Sequence, residues 1–202
     1  MKTLKMKLLS FAFLLTSIIN MNAQSINTSE LPESSYRNSI NMCPLGIAFG
    51  IYSMNFEHLI TPYNGIVLRA DYEAVPKSYS SANIESFGYS FTINYRYHFA
   101  GEMNSCYLGA YSRFRTFEGE GKSGSTNFDF TRYDMTYGLN AGKKWVWASG
   151  FNINFSLGYG FSNDWKNVSA SGDEIDKAIK DYENGYDFMT PFYGELSIGY
   201  AF

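Results

Sequence analysis

Residues 151–162 read FNINFSLGYGFS, and this stretch decides the fold class because large apolar and small polar side chains alternate along it. Phe, Ile, Leu and Tyr stand at the odd positions, whereas Asn, Ser and Gly stand at the even ones. Successive side chains of a β-strand point to opposite faces, while a helix would mix the two classes on every face. The stretch therefore predicts a strand with one apolar and one polar face.

The same alternation recurs along the chain. It is strong in residues 87–99 and 192–202, and weaker over 52–57, 66–73, 107–115 and 132–142. Residues 39–50 should supply one more strand, but Pro44 interrupts them and leaves their register open. About eight strands are therefore expected.

The N-terminus has the pattern of a signal peptide. Lys2, Lys5 and Lys7 precede an apolar run over 8–19, and Ala23 offers a small residue for cleavage. The run is shorter than the roughly 20 residues that a spanning helix needs. We expect a signal peptide over 1–23, a polar periplasmic segment over 24–38 and a barrel over 39–202.

Charge and cysteine content limit the partners. The formal charge is −3, and removing the signal takes away three lysines and no acidic residue, which leaves −6. This charge opposes binding to phosphate backbones, so nucleic acid is not an expected partner. Cys43 and Cys106 fall on non-neighbouring strands; export to an oxidising compartment would allow a disulfide, but we favour unpaired thiols.

The connections between strands alternate in length. Links over 61–64, 101–105 and 143–150 are short, whereas those over 76–85, 118–128 and 164–188 are longer and polar. In outer-membrane barrels the short turns are periplasmic and the long loops extracellular. The alternation therefore predicts an up-and-down antiparallel topology.

The size of the side chains indicates which face of the strands points into the barrel and which points outward. An eight-stranded interior barely accommodates side chains, and large rings from nearly every strand would overfill it. We therefore predict that the fold is all-β: a closed antiparallel up-and-down transmembrane β-barrel with aromatic residues toward lipid. A soluble lipocalin-like ligand-binding barrel is the alternative that would place the apolar face inside.

Charged residues of both signs share the polar face. Enclosed charges are tolerated when they are paired, so an ion-pair network is expected to fill the lumen in place of a wide channel. The other interpretation is that several of these charges lie near loop ends and are solvated. The ten residues are Glu57, Arg69, Asp71, Glu73, Arg96, Arg113, Arg115, Arg132, Asp134 and Glu195.

The C-terminus resembles the assembly signal of bacterial outer-membrane barrels. The chain ends in Phe202, with Leu196, Ile198 and Tyr200 at alternate positions before it. The plan over 39–202 is similar to that of small OmpA-type and OmpX-type barrels. This resemblance implies an outer-membrane location, with membrane lipid and the barrel assembly machinery as partners.

The start of the barrel also resembles a family. The segments Cys43-Pro44-Leu45, Phe49-Gly50 and Phe56-Glu57-His58 are similar to the opening of a family of uncharacterised outer-membrane barrels, which usually shows Asn-Pro-Leu and Tyr-Glu-Arg. This chain departs from that pattern at Cys43 and His58. The resemblance implies a location and no established activity.

The sequence offers little for catalysis. Lipid-modifying barrels need a nucleophile, a His and a carboxylate brought together. Of the two histidines, His98 shares the inner face with Glu57, which motivates the alternative of an outer-membrane lipid-modifying enzyme; both histidines nevertheless fall beside short turns, away from the outer leaflet. No metal-ligand spacing is present. We expect no catalytic residue, metal or cofactor.

One segment in the last long loop has helical spacing. Ile175, Ala178, Ile179 and Tyr182 recur between 173 and 184, and Gly185 can end the helix. The apolar stripe either closes the barrel mouth or contacts an extracellular protein or glycan. In the second case the binding residues are Trp165, Ile175, Ile179, Tyr182 and Tyr186. The predicted function is that of a non-enzymatic outer-membrane barrel with an envelope structural role or loop-mediated binding.

Overall fold

The computed structural model describes residues 36–75, 84–123, 126–170, 172–186 and 191–202. The predicted signal peptide and residues 24–35 lie outside this part, as do 76–83 and 187–190 within the predicted long connections. Within the described part, no helix is long and apolar enough to cross a bilayer. The elements are β1 (Asn38–Met42), α1 (Pro44–Ile47), β2 (Ile51–Leu59), β3 (Asn64–Val75), β4 (Glu85–His98), β5 (Cys106–Ser123), β6 (Thr126–Val146), β7 (Phe151–Val168), α2 (Asp173–Tyr186) and β8 (Phe192–Ala201).

The eight strands form a closed ring. Each strand pairs antiparallel with its neighbours in the sequence, and β1 pairs with β8. The predicted all-β, up-and-down antiparallel barrel with a short helix near the last loop is therefore confirmed. The β1–β8 ladder is the shortest, with four residue pairs from Ser39↔Ala201 to Met42↔Ile198.

The two ends of the barrel differ in their connections. One end, the turn end, carries the short links 60–63, 99–105 and 147–150 and both ends of the barrel chain, where the Asn38 amide donates to the Phe202 carbonyl at 2.9 Å. Gly101 and Gly150 lie in two of these turns with φ of 67° and 86°, a conformation that favours glycine. The opposite end, the loop end, carries the remaining connections.

The strands are much longer on one side of the barrel. β5, β6 and β7 have 18, 21 and 18 residues, whereas β1 has 5 and β2 has 9. The predicted polar loop over 118–128 is wrong, because only 124–125 separate β5 from β6. Gly119 and Gly121 leave room on the inner face for the rings of Phe130 and Phe128, and a Cβ would lie 2.4 Å from either ring. Glycines typical of a loop therefore lie within a strand.

The register of the first strand follows from Pro44. β1 ends at Met42, opposite Met54, and Pro44 then begins the single turn α1 at a position where a missing amide hydrogen costs nothing. The predicted strand in 39–50 is thus confined to its first residues.

The side-chain orientation agrees with the predicted barrel. In β4, inward residues such as Asn94 and Arg96 are fully buried, while outward residues such as Ile93 and Tyr95 are 47% and 42% exposed. Leu196 on β8 likewise faces outward. Polar and charged groups thus line the interior along β4, and apolar groups cover the outside.

Candidate functional site

Five ionisable residues from four strands form a cluster inside the turn end of the lumen: Glu57, Arg96, His98, Lys144 and Glu195, here named the turn-end cluster. The Glu57 carboxylate accepts hydrogen bonds from Lys144 Nζ at 2.6 Å, Arg96 Nη1 at 3.0 Å and His98 Nε2 at 3.0 Å. Arg96 Nη2 also donates to Glu195 Oε2 at 2.8 Å. All five side chains have almost no exposure, so these charges are compensated by one another and not by solvent.

Neutral groups complete the hydrogen bonding of this cluster. Asn55 Nδ2 and the Tyr193 hydroxyl each donate to Glu195 at 2.9 Å. The Arg96 guanidinium lies 4.4 Å from the centre of the Tyr107 ring, within cation–π range. The carboxylate oxygens are therefore already engaged by donors on several strands, which favours a structural role.

A second group of ion pairs lies toward the loop end. Arg69 Nε donates to Asp71 at 2.7 Å, and Ser90 Oγ donates to the same carboxylate at 3.0 Å. Arg115 lies between Glu73 and Asp134, at 3.6 and 3.5 Å. The interior is thus charged along most of its length.

Two further arginines of the interior are Arg113 and Arg132. Arg113 Nη1 donates to the Phe192 carbonyl at 3.2 Å, and Arg132 Nη2 is 3.6 Å from Asp164, whose side chain is 47% exposed. The Arg132–Asp164 contact is therefore partly solvated. All ten residues that the sequence assigned to the lumen point inward.

The loop end of the lumen is apolar and is closed by α2. Eight buried residues form what is here named the mouth cluster: Val75, Ile84, Phe117, Phe128 and Phe130 of the wall, with Ile175, Ile179 and Tyr182 of α2. The Tyr182 hydroxyl shares a hydrogen bond of 2.5 Å with the Ser86 hydroxyl. Burial raises the pKa of Tyr182, although its bond to Ser86 acts in the opposite direction. Lys166 Nζ donates to Glu183 at 3.0 Å and joins β7 to the outer side of the helix.

The predicted binding residues separate into two groups. Ile175, Ile179 and Tyr182 are 5% exposed or less and belong to the mouth cluster, so their side chains face the wall and not a partner. Trp165 is 49% exposed on the outside of β7, and the side chain of Tyr186 lies outside the described part. The helix itself runs two residues further than predicted, to Tyr186.

The predicted assembly-signal residues Leu196, Ile198, Tyr200 and Phe202 are all exposed on the outer surface, at 36%, 37%, 54% and 56%. Phe202 is the last residue of the chain, directly after β8. The four residues thus form an outward apolar stripe, and its role as an assembly signal stays a prediction.

The residues considered for chemistry do not converge on an open site. His98 is fully buried, while His58 is exposed on the outside and hydrogen-bonded to Asn38 at 2.8 Å. Among the described residues, no three His, Cys, Asp or Glu side chains are grouped to hold a metal ion. Cys43 and Cys106 are free.

Sequence reasoning placed Tyr107 on the inner face but not in the lumen network, and it missed Lys144. Lys144 was assigned to a short turn, but β6 continues to Val146, and Lys144 follows Asn140 and Gly142 on the inner face. Tyr107 lies over Gly142, where a Cβ would be 2.6 Å from its hydroxyl. The even-numbered alternation, continued two residues further, would have identified Lys144.

Comparison with known proteins gives a family and a similar solved structure. No curated protein matches the sequence. The crystal structure of CarO from Acinetobacter baumannii is similar, with a TM-score of 0.42 and 10% identity, covering 86% of this chain and 100% of that one. The family model described as protein of unknown function DUF3575 matches residues 10–202, and the chain therefore belongs to the DUF3575 family.

Proposed function

We propose that this protein is a non-enzymatic outer-membrane β-barrel of a Gram-negative bacterium, closed to solutes, which supports the envelope or binds a partner at its loop end. The observation that carries the proposal is the inverted arrangement of side chains, with ion pairs inside and apolar residues outside. A soluble barrel would bury its apolar residues, and exposed apolar surface on that scale is rare in soluble monomers.

Strand lengths support a membrane-spanning barrel. A tilted strand crosses a bilayer with about 9 to 11 residues. β2 and β8, with 9 and 10 residues, match this length. β5, β6 and β7 exceed it by roughly eight or more residues, which at about 3.3 Å per residue extends them on the order of 25 Å past the bilayer along the strand direction.

The outward side chains change from aromatic to charged at the height where β5, β6 and β7 would extend beyond the bilayer. The rings of Phe114, Tyr133 and Trp165 stack across β5, β6 and β7 with centroid separations of 6.2 and 5.7 Å. Beyond them the outward residues of β5 are Glu118 and Glu120, both exposed. Aromatic side chains concentrate at membrane–water interfaces, so this stack fits the outer boundary of the bilayer.

The turn-end cluster supports a non-enzymatic role. A general base must reach its substrate, but His98 is fully buried and its Nε2 is engaged by Glu57. The same cluster blocks the lumen with compensated charges, which favours a closed barrel over a channel.

The loop end supports an interaction role. The outer side of α2 carries the exposed residues Asp176, Lys177 and Lys180, while the stripe on the other side holds the helix on the wall. A helix that is docked on the wall and exposes a polar side suits recognition of an extracellular protein or glycan.

The substitution Ile93→Arg tests the membrane assignment. Ile93 faces outward in the middle of β4 and is 47% exposed. An arginine facing lipid near the bilayer centre costs about 2–4 kcal/mol, whereas on a water-exposed surface it changes stability by no more than about 0.5 kcal/mol. We expect the larger loss in urea unfolding from lipid vesicles.

The matched control is Glu118→Arg, an outward position of β5 beyond the aromatic stack, which should leave stability unchanged. Equal effects of the two substitutions, together with extraction of the wild type without detergent, would contradict the membrane assignment. Retarded gel migration after boiling would support it, because a closed barrel resists detergent unfolding.

Two strains separate the envelope role from the binding role. One lacks residues 169–184, and the other carries Lys177→Ala with Lys180→Ala, which keeps the mouth cluster. If the barrel alone acts, both variants should restore detergent resistance to a strain that lacks the whole protein. If only the unaltered helix restores it, recognition by α2 carries the function; changed lipid A or phospholipid profiles in the deletion mutant would instead indicate an enzyme.

A further inference from the structure

Uncharged amides lie inside the lumen next to the turn-end cluster. Asn94 on β4 and Asn140 on β6 are 0% and 4% exposed. Neither amide atom of Asn94 has a hydrogen-bond partner among the described residues, and Asn140 only donates, to Ser156 Oγ at 3.3 Å. A buried amide without hydrogen-bond partners destabilises the folded state, so this part of the lumen requires an explanation.

The two amides point at one place, above Gly109 of β5. A Cβ on Gly109 would lie 2.1 Å from Asn140 Oδ1 and 2.7 Å from Asn94 Oδ1. The two oxygens are therefore within about 5 Å of each other, a span that one hydrogen-bond donor can bridge. One group that donates to both oxygens would satisfy the two acceptors in this orientation of the amides.

A third group restricts the identity of that donor. Arg96 is the next inward residue after Asn94 on β4 and lies opposite Gly109, and its Nε is also buried without a partner. A metal cation would be repelled by this guanidinium, and it cannot accept the Arg96 N–H. Water can donate two hydrogen bonds and accept another, which matches all three groups.

We propose that an internal water molecule is bound at this place, donating to Asn94 Oδ1 and Asn140 Oδ1 and accepting from Arg96 Nε. The water is a structural ligand of the lumen that joins the amides to the turn-end cluster. Gly109 is required because a side chain there would enter the space of the amide oxygens and the water.

Water-edited solid-state NMR of the full chain, isotope-labelled and folded in lipid bilayers, tests the proposal. We expect magnetisation to pass from water to the side-chain amides of Asn94 and Asn140 in the wild type. Gly109→Ala should abolish this transfer and leave that of the surface residue Asn104 unchanged. Gly194→Ala is the matched control, because no atom lies within 4 Å of a Cβ at Gly194.

Two results would overturn the proposal. One is the absence of transfer to Asn94 and Asn140 in the wild type while Asn104 receives it. The other is a change of the Asn94 and Asn140 amide signals when sodium is replaced by ammonium or thallium, which would assign the place to a cation. These measurements use the wild type, so they remain informative if Gly109→Ala fails to fold.

Discussion

The turn-end cluster and the mouth cluster close the same lumen by different means. The first consists of paired charges without exposure, contributed by β2, β4, β6 and β8. The second is an apolar cluster in which one helix covers the ends of the wall strands. Charges bind only partners of the right sign and geometry, whereas apolar surfaces associate without directional requirements.

This difference predicts different behaviour when each closure is broken. The turn-end cluster links four strands of the ring, so its loss must weaken the whole barrel. The mouth cluster depends on a helix outside the ring, so its loss can release α2 and leave every strand ladder intact. Unfolding of the whole barrel and local release of α2 should therefore occur as two distinct transitions.

The largest effect is expected for Glu57→Gln. This substitution removes the negative charge between Arg96 and Lys144, so that the buried Lys144 ammonium faces a neutral amide and Arg96 keeps only Glu195, which costs about 3–5 kcal/mol. Urea unfolding from lipid vesicles, followed by tryptophan fluorescence, measures the loss. The control is Glu102→Gln at an exposed turn residue; equal midpoints for the two variants would show that the cluster does not stabilise the ring.

A smaller and local effect is expected for Ile179→Ala, in the centre of the mouth cluster. The cavity weakens the docking of α2 on the wall by about 2–4 kcal/mol and leaves the free energy of unfolding of the barrel unchanged. Cleavage of 169–186 by added protease should accelerate, while the urea midpoint of the barrel stays at the wild-type value. Lys180→Ala, on the exposed side of α2, should change neither; a lowered midpoint for Ile179→Ala would refute the separation.

The smallest effect concerns pH at the mouth. Burial raises the pKa of Tyr182 above its ordinary value of 10.0, so the neutral phenol stabilises helix docking. For a raised pKa this contribution is complete below pH 10.0, and it is lost as the pH rises through the raised value. The difference in tyrosinate absorbance between wild type and Tyr182→Phe should titrate above pH 10.0. A difference that titrates at the ordinary value would contradict burial of the hydroxyl.

The sequence predicted which side chains face the lumen, because successive side chains of a strand must point to opposite faces. Once Phe155 faces outward, Asn154 and Ser156 must face inward, and the same parity places Arg96 and Glu195 in the lumen. Alternation does not reveal where a strand ends. Lys144 and the glycines near Phe128 were consequently assigned to turns and loops.

The pairing inside the lumen could not be derived from sequence. Glu57 and Lys144 contact each other because the ring brings β2 and β6 to opposite sides of a narrow interior, which depends on strand number and stagger. The role of the α2 stripe was also open, since an apolar stripe fits a wall or a partner equally well. The structure shows that the stripe packs against the barrel wall, because β5 and β6 extend far enough to bring the rings of Phe128 and Phe130 against it.

The short β1–β8 ladder has a consequence for biogenesis. A chain that folds from β1 to β8 can form its seven sequential hairpin ladders one after another, but the β1–β8 ladder must wait until the last strand is in place. Only four residue pairs between β1 and β8 then close the barrel. The same ladder is where the finished molecule should part first under mechanical load, because it has fewer residue pairs than any other ladder of the ring.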